Sequence, residues 1–378
     1  MAERIRILLL IPRLNAGGAE RVMALVASGL SQSKYEVHLG LVKAHDTAPA
    51  TLPESVTVHA LGASRARTAA VSLIRLVWHL RPNVILSGAP EISFVVLLLR
   101  KFFPPNTRVL VRQNGTVSWA LTSGVVPRYT RWLYRFLYSR ADRIICQSRA
   151  MAADLSAQLR IRSDKIAVLP NPIDLEGILQ TTGAVGVWNG PGPHLLSVGR
   201  LSREKGFDLL IDALATLRKR YPSADLVIAG AGPEEAALKR QCTELGLENA
   251  VHFLGRVDKP YGLFAGATLF VLSSRHEGVP NALLEAAAAG LPIVATPASG
   301  GVVDLLGGRD GAWLAPDISA SAVVDALVKA LDILRPDQRF NFDFCPAVSR
   351  RPVQSHESYL RNTPTGEFVA AQRRVIRD

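Results

Sequence analysis

From Ile5 onward the chain alternates short apolar runs with segments of helical period, and it passes through that alternation twice. In the first half, Ile5–Ile11, Val37–Val42, Asn83–Gly88, Arg108–Asn114 and Arg143–Ser148 read as strands. A helix after AGGAE places Val22, Leu25, Val26, Gly29 and Leu30 on one face, and helices are expected over Ser72–Leu80 and Tyr129–Ser139. The second half repeats the scheme with strands His194–Gly199, Asp225–Gly230, Val251–Gly255, Ala267–Ser274 and Pro292–Pro297. Helices from Phe207 to about Arg220 and around Glu234–Leu245 separate the first of these. Runs of Val, Ile and Leu without polar alternation are strands covered on both faces, and strand–helix alternation makes them parallel. The expected fold class is α/β, with two doubly wound, Rossmann-like domains facing a central cleft. Ligands of such domains bind beyond the C-terminal ends of the strands.

The length of 378 residues suits two domains, and 48% hydrophobic residues can fill two cores. The expected division is a first domain over 1–172, a linker over 173–193 marked by TTG and GPGP, and a second domain over 194–334. Residues 335–378 form an atypical tail with scattered Pro and little periodicity, helical in pattern only over Gly366–Ile376.

Lys plus Arg outnumber Asp plus Glu by 44 to 32, a net charge of +12. That balance points to a polyanionic partner: nucleic acid, an anionic membrane surface or phosphorylated substrates. Cys146, Cys242 and Cys345 are widely spaced and show no metal or redox pattern. No apolar run reaches the ~18 residues of a spanning helix. The apolar N-terminal stretch is interrupted by Pro12 and Arg13 and reads as a buried first strand rather than a signal peptide. The expectation is a soluble, cytoplasmic protein able to touch the inner face of the membrane.

The segment Ser273–Pro292, SSRHEGVPNALLEAAAAGLP, carries the most chemistry. A loop with Glu277 leads to Pro280 at a first helical position, and an Ala- and Leu-rich helix follows. Gly290 is placed as a left-handed cap and Pro292 as a stop. A helix N-terminus presents unpaired N–H groups and partial positive charge, which suits a phosphate. Glu277 and Glu285 lie on either side of that end, an arrangement fitted to a hydroxyl-rich nucleotide.

Other positions add to it. Gly17 and Gly18, between the first strand and helix, allow close approach to a bulky anion, although a plain strand-to-helix turn also explains them. Arg200 and Lys205 sit in the loop after a strand, where a planar fork and a point charge could neutralise a diphosphate; a basic surface loop is the plainer reading. AGAGPEE (Ala229–Glu235) resembles a dinucleotide fingerprint but has Glu235 in place of its third glycine, so no nicotinamide or flavin site is expected. No Asp-x-Asp and no metal-ligand spacing occur, so no metal is expected. The stretch Pro127–Ile145 sets Arg128, Arg131, Arg135 and Arg140 among Trp132, Tyr134, Phe136 and Tyr138. It reads as a partly buried helix with a basic outer face, or as a helix meeting anionic lipid or a polyprenyl phosphate. No nucleic-acid motif accompanies it, and no nucleic-acid partner is expected.

Taken in order, GGAERV, VLPNPID (Val168–Asp174), SVGRLSREKG, LVIAGAGPE, VHFLGRV and SSRHEGVPNALLEAAAAGLPIVAT resemble glycosyltransferase family 4, retaining enzymes of the GT-B fold, over roughly residues 1–330. The resemblance implies that Gly17 and Gly18 approach the donor diphosphate and that Arg200 and Lys205 pair with it. It makes Glu277 the first acid of an E-x7-E motif, facing the donor sugar and the reaction centre, and Glu285 the ribose-binding second acid. Gly278, Val279, Pro280 and Asn281 would hold sugar and phosphate, with Arg256 and Val257 near the base.

In the mechanism the family implies, the departing diphosphate oxygen helps take the acceptor proton on the same face. Catalysis then rests on positioning and leaving-group stabilisation by Glu277, Arg200 and Lys205. Many members carry a His after the strand at Arg108–Val111. Here the loop reads RQNGTVS, closer to the subgroup that builds lipid-linked oligosaccharides and surface polysaccharides. Arg112 and Asn114 inherit acceptor- or sugar-side roles from that likeness. The tail departs from the family's returning helix and reads as divergent, truncated or frameshifted.

The expected function is transfer of a hexose or N-acetylhexosamine, without a metal or other cofactor, from a nucleotide-sugar to a lipid-linked or polysaccharide acceptor. A UDP-sugar is favoured over a GDP-sugar. A nucleotide-sugar 2-epimerase-like enzyme and a glycosyltransferase-like protein that only binds are the alternatives.

Overall fold

The structure is a computed structural model that describes residues 4–14, 17–30, 33–43, 52–123, 130–181, 186–188, 190–335 and 337–342. Its residues fall into two compact units that divide between Pro172 and Ile173. The expected helix over Gly366–Ile376, Arg128 and Cys345 lie outside the described residues.

The first unit is built on a seven-stranded parallel sheet. Its strands are β1 (Ile5–Ile11), β2 (Tyr35–Leu41), β3 (Thr57–Ala60), β4 (Val84–Ser87), β5 (Arg108–Arg112), β6 (Arg143–Cys146) and β7 (Ile166–Val168). They are ordered β3-β2-β1-β4-β5-β6-β7. The chain winds outward from β1, returns, and winds outward again from β4, so the order reverses between β1 and β4. One apolar layer joins Ile7, Leu9 and Ile11 of β1 to Val22, Met23 and Val26 of the helix Gly18–Gly29. The central strands are buried on both faces, which is why they read as unbroken apolar runs.

The second unit repeats the plan with six parallel strands: β8 (His194–Val198), β9 (Asp225–Ala229), β10 (Val251–Phe253), β11 (Leu269–Leu272), β12 (Ile293–Ala295) and β13 (Ala312–Leu314). The order is β10-β9-β8-β11-β12-β13, with the reversal between β8 and β11. Ligands of doubly wound sheets bind at such a switch point, where loops from adjacent strands part in opposite directions. Helices Phe207–Leu217 and Ala320–Ile333 pack Leu210, Leu214, Val323 and Leu327 into its core.

Two segments differ from expectation. The stretch read as a linker contains a helix, Leu175–Gln180, capped by Asp174 Oδ1 on the Gly177 N–H at 2.9 Å, with Leu175 and Ile178 buried. Its two apolar anchors hold it to the second unit, where Tyr261 Oη also donates to Asp174 at 3.2 Å. The start of the tail is packed too. Phe342 is buried, Phe340 sits edge-on to Trp313 with ring centroids 6.2 Å apart, and the Phe340 N–H donates to the Gly290 carbonyl.

Candidate functional site

In the second unit, the loops that follow β8 and β11 open at the switch point and are laced together. Glu204, in a single 3-10 turn over Arg203–Lys205, offers its carbonyl to the Arg275 N–H at 2.8 Å and the His276 N–H at 3.3 Å. The Arg275 guanidinium reaches back, both arms on Asp208 at 2.6 Å. Burial works against the charged Asp208 carboxylate, but the bonds and charge of Arg275 outweigh it and hold its pKa below the ordinary value. Gly206, at φ 63°, turns the chain against the second loop. A Cβ there would lie 2.1 Å from the Ser273 carbonyl oxygen, so only glycine permits this approach.

This lacing brings Lys205 to Glu277. Lys205 Nζ donates to Glu277 Oε1 at 2.6 Å, and Ser274 Oγ donates to the same oxygen at 2.7 Å. The Glu277 side chain is only 8% exposed and Lys205 is 25% exposed. A carboxylate so far from water needs hydrogen-bond partners, and the two donors supply them. From the other side, the end of β12 supports the loop. Thr296 Oγ1 donates to the Ser274 carbonyl at 2.5 Å, and the Glu277 N–H donates to the Ala298 carbonyl at 3.2 Å. Ser299 Oγ donates to the Gly278 carbonyl at 2.9 Å and accepts from the Val302 N–H, so one hydroxyl caps a helix and pins the loop.

Beyond Glu277 the chain passes through Gly278 and Val279 into the helix Asn281–Ala288. Pro280 is the N-cap and not the first helical residue. Its ψ of 123° is extended, and helical geometry begins at Asn281. Glu285 is buried in the second turn of this helix. Gly290 adopts φ 75°, the left-handed stop expected of it.

Arg200 is brought to the same loop but not onto the carboxylate. It is 66% exposed and its Nη2 donates to Glu204 Oε1 at 2.8 Å, an oxygen that also accepts from Ser202 Oγ at 2.7 Å. Burial raises the Glu204 pKa, but those two bonds prevail and lower it. Arg200 therefore points outward on a carboxylate tether that a competing anion can replace. Arg256 follows β10, two strands from β8. It is exposed, with Asp258 at 3.1 Å, and Val257 beside it is half-buried. The glycines of AGAG have a steric explanation. A Cβ on Gly230 would lie 1.7 Å from the Gly199 carbonyl oxygen, and one on Gly232 would lie 2.2 Å from that of Leu201.

In the first unit, Gly17 caps the helix that starts at Gly18, directly after the first strand of the reversal. The nearest described atom to a Cβ at Gly17 is Glu20 Oε2 at 3.6 Å, so packing does not demand a glycine there. Asn114 Nδ2 donates to the Gly88 carbonyl at 2.5 Å and ties the loop after β5 to the loop after β4. Arg112 is buried, with Nη2 donating to Asn171 Oδ1 and Nη1 left without a partner. Burial lowers its pKa to about 10, and the neighbouring Cys146 opposes that; the guanidinium stays charged at neutral pH.

Sequence reading missed Ser274, Thr296, Ser299 and the Arg275–Asp208 clamp. Ser274 stands three residues before Glu277, a spacing visible in the sequence. The others act across 21 to 67 residues and leave no local signal.

Two Rossmann-like parallel sheets, one in each unit, are the fold of the two-domain GT-B class. Residues 16–176 match Glycosyltransferase Family 4, and residues 184–341 match Glycosyl transferases group 1. A relative from Campylobacter jejuni, an N-acetylgalactosamine-N,N'-diacetylbacillosaminyl-diphospho-undecaprenol 4-alpha-N-acetylgalactosaminyltransferase, is 31% identical over 305 residues, 78% of this chain and 81% of that protein. An uncharacterized glycosyltransferase of Methanocaldococcus jannaschii is 25% identical over 252 residues, 62% of this chain; the match spans only 60% of that relative's length. The crystal structure of Anabaena HepE with UDP-glucose has a TM-score of 0.71 at 19% identity, covering 98% of this chain and 95% of that one. The chain belongs to this glycosyltransferase family.

Proposed function

We propose that the protein is a retaining glycosyltransferase that moves a hexose or N-acetylhexosamine from a nucleoside diphosphate, UDP in preference to GDP, to a lipid-linked or polysaccharide acceptor. The observation that carries this reading is the Lys205–Glu277 pair at the β8/β11 switch point, directly before a helix N-terminus. Lys205, Arg200 and the first N–H groups of that helix take the diphosphate charge, which grows as the glycosidic bond breaks. For Arg200 this means exchanging Glu204 for phosphate. Glu277 accepts from a donor-sugar hydroxyl, and Lys205 ties it to the diphosphate, so sugar and leaving group are held by one unit. Glu285 binds the ribose, and Arg256 and Val257 lie toward the base. On the acceptor side, Asn114 keeps the loops after β4 and β5 together.

Relatives support the substrate class. The Campylobacter enzyme is named for α-transfer of N-acetylgalactosamine to a diphospho-undecaprenol-linked sugar, and Anabaena HepE is seen with UDP-glucose. Charge neutralisation by Arg200 and Lys205 makes the proposed reaction independent of a metal, which transfer in EDTA tests.

The test is transfer from a panel of UDP- and GDP-sugars to an undecaprenyl-diphosphate-linked saccharide in EDTA, with the linkage read by NMR. An α-linked product formed in EDTA supports the reading. Transfer abolished by EDTA, or a β-linked product, overturns it. Turnover of donor with no acceptor would indicate the 2-epimerase-like alternative, and nucleotide binding with no turnover would indicate the binding-only one.

A further inference from the structure

The two cations of the candidate site are held in different ways. Lys205 is 25% exposed and paired with the enclosed Glu277, so it is fixed where it stands. Arg200 is 66% exposed, and its one side-chain partner among the described residues is Glu204, four residues on. An exposed pair of that kind is worth little, because water screens it and a long side chain loses freedom to make it.

Glu204 does not depend on Arg200 in return. The buried Ser202 donates its Oγ to the same Glu204 Oε1 at 2.7 Å. The Glu204 carbonyl holds the N–H groups of Arg275 and His276, so its backbone is tied into the second loop. Burial raises the Glu204 pKa, but the bonds from Ser202 and Arg200 outweigh that, and the carboxyl is ionised at neutral pH. Glu204 is therefore a fixed negative post, and Arg200 is the arm that can leave it. A carboxylate next to Lys205 repels a diphosphate, so its charge there serves something other than ligand binding.

We propose that Glu204 is a positioning residue that competes with the diphosphate for Arg200. In the empty site the guanidinium rests on Glu204. With donor bound it crosses to the diphosphate, and after transfer Glu204 takes it back and speeds departure of the nucleoside diphosphate. Carboxylate and phosphate both accept the guanidinium fork, so the exchange is between like partners and a weak tether keeps it reversible. Ser202 keeps the carboxylate in place while Arg200 is away. Only molecules with Arg200 off Glu204 offer it to the ligand, and the apparent affinity is reduced by that fraction. This inference rests on the proposed function, since it takes the ligand to be a nucleoside diphosphate.

The experiment is isothermal titration of the full chain with UDP, comparing wild type, Glu204→Gln, Arg200→Met and the double variant. The dissociation rate of a fluorescent UDP analogue is followed in parallel. Glu204→Gln should bind UDP about threefold tighter and release the analogue about threefold more slowly, the scale of one exposed ion pair. Arg200→Met should bind UDP about tenfold more weakly, and adding Glu204→Gln to it should change nothing further. A gain in affinity cannot come from damage to the fold. The proposal is overturned if Glu204→Gln binds UDP like wild type or more weakly. It is also overturned if the gain persists beside Arg200→Met, because loss of a nearby negative charge would then explain it without any exchange. A wild-type chain that binds neither UDP nor GDP overturns the donor-site reading itself, whereas a chain that binds UDP without these shifts overturns only the role of Glu204.

Discussion

Lys205 Nζ and Glu277 Oε1 lie 2.6 Å apart, although 72 residues separate them. The pair exists because β8 and β11 are adjacent at the reversal of the second sheet, so the loops they feed leave from one point. The carboxylate is nearly enclosed and the ammonium is its charged partner. The contact joins the two loops and gives the enclosed carboxylate a charged hydrogen-bond donor; under the proposed function the same cation would meet the leaving diphosphate.

Lys205→Met separates these two roles. It should weaken UDP affinity about tenfold or more, the scale of one charge-assisted bond. Glu277 would keep Ser274 alone, and the lost partner should cost stability on the order of 1–3 kcal/mol. Isothermal titration with UDP and chemical denaturation of the unliganded protein measure the two effects. Unchanged UDP affinity would remove Lys205 from the donor site.

Gly206→Ala should be far costlier than an ordinary loop substitution. The new Cβ meets the Ser273 carbonyl at 2.1 Å, in addition to the strain of φ 63°. Gly246 is the control, with φ 65° and nothing within 4 Å of its Cβ. We expect about 1 kcal/mol for Gly246→Ala and at least about twice that for Gly206→Ala, read as denaturation midpoints. Gly206→Ala should also weaken UDP binding, because it pushes apart the loops that carry Lys205 and Glu277. Equal losses in the two variants would mean that the loops are not held in this contact.

The central strands were legible because burial on both faces leaves unbroken apolar runs, as in Leu195–Leu196 and Leu226–Ile228. Strands β3, β7 and β13 were not read. Each is three or four residues long and lies at an edge of its sheet, where no apolar run is required. Lys205 and Glu277 stood out because they follow strands in glycine-bearing loops. Their supports did not: Thr296, Ser299 and Asp208 meet the loop only in three dimensions. Arg112 was read in the loop after the strand Arg108–Val111, whereas it is the last residue of β5 and 1% exposed. Nothing in its neighbouring residues signals that Asn171, 59 positions later, folds over it.

Arg112→Met is expected to distinguish function from folding. Among the described residues no carboxylate pairs with this buried cation, so an apolar side chain of similar length should cost little stability or even raise the melting temperature. If the guanidinium serves the acceptor or the sugar, transfer should fall at least about tenfold, the scale of one lost charged bond. Melting and kcat/KM of the variant decide it. A large drop in melting temperature would make Arg112 a structural residue.

Stability should depend on pH through His38. Its Nδ1 lies 3.1 Å from His59 Nε2 and its Nε2 lies 3.0 Å from Glu36 Oε1, with Arg6 and His79 nearby. Burial lowers the His38 pKa below 6.5, with Glu36 opposing and Arg6 and His79 adding to the shift; His59 is lowered likewise. The unfolded chain therefore binds more protons than the folded one. The contribution is complete above about pH 6.5 and is lost as pH falls through the lower folded values. Urea midpoints between pH 8 and about pH 5 should fall with pH, and His38→Gln should flatten part of that slope. An unchanged slope in the variant would show that these rings do not titrate in this window.

The most direct measurement is the transfer rate in EDTA of Glu277→Gln beside wild type, with UDP affinity measured in parallel. The substitution keeps the shape and removes the charge that pairs with Lys205 and that the proposed function sets against the donor sugar. The rate should fall about 10²–10³-fold, as when one transition-state contact is removed, while UDP still binds. A variant that transfers sugar at the wild-type rate would contradict the placement of the donor against the Lys205–Glu277 pair.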